Sequence, residues 1–80
     1  MKDKIIAYWV DSYGVDSGWK SIEDYSANEL IITSVGFKVY EDDKVLSLAQ
    51  NYAAETENTP EQANGIMVIP KACIISVTSF

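Results

Sequence analysis

The side chains that most often do chemistry are scarce in this chain of 80 residues. Histidine is absent, which removes the commonest general base and the commonest metal ligand. Cys73 is the single cysteine. As a nucleophile it would lack an imidazole partner, and a structural zinc site would have one thiolate at most. A Ser–His–Asp triad cannot be assembled. The glycines of Gly14-Val15-Asp16-Ser17-Gly18 fit neither the phosphate-loop nor the dinucleotide spacing. Carboxylates remain. Asp11 and Asp16 border a loop beside Trp9 and Trp19, and an indole against a carboxyl can raise its pKa. The aspartates of this loop do not alternate toward a terminal glutamate, as a calcium loop requires. Asx-turns on a surface loop are the simpler reading. Cys73, between Ala72 and Ile74, reads as a small buried hydrophobe. The chain is therefore expected to be no enzyme, with no catalytic residue, metal ligand or cofactor.

Recognition is the chemistry left. Tyr8, Trp9, Tyr13 and Trp19 cluster around the first loop, and Tyr25 and Tyr40 can approach them. Such residues dominate interface hot spots, and they also dominate small cores. Trp9 is expected in the core, or at a subunit interface if a second copy covers its strand. Tyr13 lies in a polar loop, and Tyr40 leads into the acidic run Glu41-Asp42-Asp43. The candidate partner-binding set is Trp9, Tyr13, Trp19, Tyr40, Glu41, Asp42 and Asp43.

The elements that must position these groups read as short strands. Leu30 to Asn51 reads as a hairpin, LIITSVGFKVY and VLSLAQN joined by EDDK. On its first strand Ile31, Thr33, Val35, Phe37 and Val39 share one face and are the expected core side. Gly36 interrupts that strand and predicts a bulge or bend. Lys4 to Val10 is β-branched and aromatic on both faces, as in a strand covered on both sides. Asp11 to Gly18 is turn-rich, and Ser21-Ile22-Glu23-Asp24 resembles a helix start of one or two turns. Asn51 to Gly65 is polar and acidic and predicts a long loop. Gly65 to Pro70 predicts a strand, Lys71 to Cys73 a one-turn 3₁₀ helix and Ile74 to Phe80 the last strand, the way small SH3-like and Sm-like barrels close. The expected fold is all-β with one short helix after Trp19: a small, SH3-like or Sm-like, five-stranded, partly open barrel forming a single domain over residues 1–80.

Charge narrows the partner. Twelve carboxylates face six lysines, with no arginine, for a net charge of −6. That balance disfavours nucleic-acid binding, which needs clustered cations. A lone cysteine suits a reducing compartment. Ile5 to Val10, broken by Asp11, is too short for a signal-peptide core or a membrane span. A cytoplasmic protein without membrane contact is expected.

The arrangement YWVDS…SGWKSIED…ELIITSVGFKVYEDDKVLSLAQN…IMVIPKACIISV resembles short uncharacterised proteins of bacteriophages and prophages. They share a W-x-D-S opening, a G-W, an S-V-G strand, an acidic hairpin and an I-P-x-x-x-I ending. The resemblance covers most of the chain and carries no catalytic residues. It implies a phage-encoded accessory protein in the host cytoplasm, one that binds a host or defence component. The expected function is occlusion of such a protein through an acidic and aromatic surface. Two alternatives stand beside it: an Sm-like nucleic-acid-binding ring, which the same strand order can support, and a homo-oligomer that sequesters a small nucleotide-like ligand between subunits.

Overall fold

The computed structural model describes residues 2–80. Five strands form one antiparallel sheet: β1 (Lys4–Asp11), β2 (Leu30–Glu41), β3 (Val45–Ala53), β4 (Gln62–Pro70) and β5 (Ile74–Ser79). A 3₁₀ turn, Lys71–Cys73, connects β4 to β5. The order across the sheet is β4-β3-β2-β1-β5. The outer strands β4 and β5 are not hydrogen-bonded to each other, so the sheet is open.

The hairpin of β2 and β3 forms because Asp42 builds its turn. The Asp42 carboxylate accepts from the Lys44 and Val45 amides at 2.8 and 2.9 Å. Its own amide donates to the Val45 carbonyl at 3.1 Å, which closes a link of three residues. The Lys71 amide then donates to the Lys44 carbonyl at 2.8 Å. This ties the hairpin tip to the 3₁₀ turn and starts β5 back along β1.

The buried apolar core is Ile5, Ala7, Leu46, Leu48, Ala49 and Ile69, with Trp9 and Ile74 packed against it. It sits where the middle of β3 meets the paired Ile69 of β4 and the first half of β1. Leu46, Ser47, Leu48 and Ala49 are buried in succession, so β3 is covered on both faces. Only small side chains fit where β2 crosses this core. A Cβ on Gly36 would lie 2.7 Å from the Ala49 carbonyl oxygen, a backbone contact that no rotamer change relieves.

Four expectations are corrected. On β2 the inner face carries Ser34 and Gly36, paired with Ala7 and Ile5, while Ile31, Thr33 and Val35 are exposed. The close approach of β3 selects the small residues and turns the larger ones out. The short helix expected after Trp19 is a bare turn: the Asp24 amide reaches the Ser21 carbonyl at 3.2 Å and the Tyr25 amide reaches Ile22 at 3.3 Å. A segment this short needs tertiary packing to propagate as helix, and its apolar residue, Ile22, is exposed. The long loop expected over Asn51 to Gly65 contracts to residues 54–61, because β3 runs to Ala53 and β4 starts at Gln62. The Asn51 side-chain Nδ2 donates to the Asn64 side-chain oxygen at 2.7 Å and the Tyr52 hydroxyl donates to Glu61 across that extension. Cys73 is half-buried rather than enclosed.

Candidate functional site: an exposed aromatic arm

Residues 12–29, between β1 and β2, form an arm with every side chain exposed. Two local devices shape it. Asp16 folds the tip: one carboxylate oxygen accepts from the Gly18 amide at 3.0 Å and from Lys20 Nζ at 2.7 Å. The lysine and then that amide hold the Asp16 carboxyl below its ordinary pKa. At the base, the Tyr13 hydroxyl donates to the Asn28 carbonyl and joins the two limbs. An open hollow of about 380 Å³ lies between the limbs, lined by Tyr13, Val15, Tyr25 and Asn28 among others.

The arm ends in the two most exposed large apolar residues of the described chain. Trp19 has 103% of its reference exposure and Ile22 has 92%. An indole costs free energy in water and gains it on burial. The arm leaves Trp19 free while hydrogen bonds on both sides fix the backbone that carries it. Charge surrounds it unevenly. Glu23, Asp24 and Glu29 flank the apolar pair, and the nearby lysine, Lys20, is engaged by Asp16.

The other candidate residues divide. Tyr13 stands at the base of the arm, with Trp19 at its tip. Trp9 faces the core, and its indole N–H donates to Ser34 Oγ at 3.0 Å, so its surface is largely spent on packing. Tyr40, Glu41, Asp42 and Asp43 lie together at the hairpin tip, a separate element from the arm. That tip is built mainly for structure. Glu41 pairs with Lys71 at 2.7 Å and Lys38 at 3.3 Å, and these lysines, Lys71 foremost, depress its pKa. Asp42 is depressed by the backbone amides it caps, then by the Tyr40 hydroxyl. Tyr40 donates to Asp42 at 2.9 Å, and this bond raises the Tyr40 pKa. Asp43 alone of the three acids makes no hydrogen bond or ion pair among the described residues. Ile22 was missed from the sequence because a helix start would have turned it inward. Its neighbours Glu23 and Asp24, with a polar Ser26-Ala27-Asn28 beyond, left that helix no second apolar turn to bury.

Among the described residues no group of three or more acidic or sulfur side chains converges as a metal site. No helix there is long and apolar enough to cross a membrane. No protein-family model, curated protein or solved structure matches the chain. The reading of the arm therefore rests on its own chemistry.

Proposed function

We propose that this is a non-enzymatic binding protein that works by occlusion, inserting Trp19 and Ile22 at the arm tip into an apolar recess of a protein partner. The observation that carries this reading is the near-complete exposure of these two side chains on a hydrogen-bonded arm. Burying Ile22 contributes about 1.5–3 kcal/mol, and a centrally placed tryptophan contributes about 2 kcal/mol or more. The acids around the tip suit a recess rimmed by lysine or arginine, which would speed encounter and weaken with added salt. The resemblance to phage-encoded proteins points to a host or defence protein of the infected cell's cytoplasm as that partner. The fold is read as a partly open SH3-like barrel, supported by the strand order and by the single 3₁₀ turn between β4 and β5.

The test is differential capture from a host bacterial lysate by the tagged chain and by Trp19→Ala and Ile22→Ser variants. A specific protein retained by the wild type should be lost by Trp19→Ala, with affinity reduced by about 30-fold or more. Equal capture by wild type and both variants overturns the reading.

A further inference from the structure

The chain exposes 6243 Å² at a mass of 8.9 kDa. A compact monomer of that mass exposes about 4,800 Å². Its radius of gyration is 17.3 Å, against about 12 Å for a compact domain of this length. The arm takes part of this excess of about 1,400 Å², and a standard interface needs only about 800 Å² per partner. A second apolar surface lies away from the arm, on β4. There Ile66, Met67 and Val68 are 54%, 44% and 59% exposed, beside a backbone edge with no neighbour in the sheet.

We infer that the β4 edge pairs antiparallel with β4 of a second copy of this chain. Free edges are normally guarded by lysine, by an internal proline or by a bulge. The β4 edge has none of these. Gln62 to Ile69 carries no charge and no proline, and its register on β3 does not shift between Val45–Pro70 and Ala53–Gln62, although the ladder skips Gly65, which takes φ 65°. The other free edge, β5, is only six residues long and shifts register on β1 between Tyr8 and Trp9. Nor can the chain cover β4 with its own β5. The order β4-β3-β2-β1-β5, antiparallel throughout, makes β4 and β5 run the same way around the sheet. Parallel neighbours need a crossover of about a dozen residues or more, and the connection here is the three residues Lys71–Cys73.

Charge selects a second copy as the occupant. Two chains of net charge −6 repel over most of their surface, and β4 is a surface where they do not. Antiparallel pairing centred on Ile66 sets the Glu61 end of one strand beside the Lys71 end of the other, so the ladder is uncharged and its ends carry opposite charges, each also paired within its own chain, Glu61 with Lys2 and Lys71 with Glu41. Residues whose numbers sum to the same even value share a face in such a pair; Ile66 meets Ile66 of the second copy, and Asn64 meets Val68.

This inference is independent of the arm and is tested without a partner. Light scattering of the full chain should give twice the mass of one chain. In hydrogen exchange, consecutive amides from Ile66 to Ile69 should all be protected, because a free edge leaves alternate amides open to solvent. Val68→Lys and Ile66→Lys add edge charge at exposed positions and should return the mass to one chain, while Val35→Lys on β2 should not. A wild-type mass of one chain or of more than two, fast exchange at alternate β4 amides, or a dimer that survives both lysine substitutions overturns the inference.

Discussion

The two tryptophans should respond oppositely to the same substitution. Trp19 is fully exposed and makes no hydrogen bond among the described residues, so Trp19→Ala removes almost no burial. Its effect on unfolding free energy should stay within about 0.5 kcal/mol, the range of ordinary surface substitutions. Trp9 packs against the core and donates to Ser34 at 3.0 Å. Complete truncation of a buried aromatic costs about 3–5 kcal/mol. Trp9 is half-buried, so about 2–3 kcal/mol is expected for Trp9→Ala, including the unmet Ser34 hydroxyl. A domain of this size holds about 4–12 kcal/mol in total, so the loss should lower the melting temperature by about 8–24 °C, at about 4–8 °C per kcal/mol. Urea unfolding followed by far-UV circular dichroism measures both variants, read at constant m-value. A Trp19→Ala variant destabilised by more than about 1 kcal/mol, or a Trp9→Ala variant as stable as wild type, would refute the division between core indole and arm indole.

Three further outcomes follow from the same structure. Gly36→Ala should destabilise by about 1–3 kcal/mol, because its Cβ would sit 2.7 Å from the Ala49 carbonyl oxygen; chemical denaturation checks it. Ile69→Ala removes a side chain with no exposure from the centre of the core, and should cost about 2–5 kcal/mol in the same assay. Glu41, Asp42, Asp16 and Glu61 all have folded-state pKa values below their ordinary ones. The unfolded chain therefore binds more protons in acid, and stability should be constant from neutral pH down to the ordinary values of 3.8 and 4.5 and fall as pH drops through and below them. The fall in urea midpoint should be shallower for Glu41→Gln, which removes the carboxylate between Lys71 and Lys38.

The sequence was most informative where a local rule acts alone. The hairpin was legible because Glu41-Asp42-Asp43-Lys44 separates two strand-like runs, and the 3₁₀ turn because Pro70 stops one apolar run four residues before the next. The inner face of β2 was not legible. Both faces carry apolar residues at its start, and the choice was made by long-range contacts: the Trp9–Ser34 bond and the approach of the Ala49 carbonyl to Gly36. The candidate site was half legible. Trp19 stood out by type, but the acids at the hairpin tip looked like a free patch and are mostly engaged, by Lys71 and Lys38 at Glu41 and by backbone amides at Asp42. Such pairing depends on the hairpin tip meeting the 3₁₀ turn, which spacing alone does not reveal.

The central claim is that the arm's indole is free in the isolated protein and buried by the partner. Quenching of tryptophan emission by acrylamide, a neutral quencher that the acidic surroundings do not repel, in a Trp9→Phe variant, which leaves Trp19 as the sole reporter, tests it directly. The account predicts quenching close to that of free tryptophan for the protein alone and strong protection once the captured partner is bound. Protection in the isolated protein, or unchanged quenching in the complex, would contradict it.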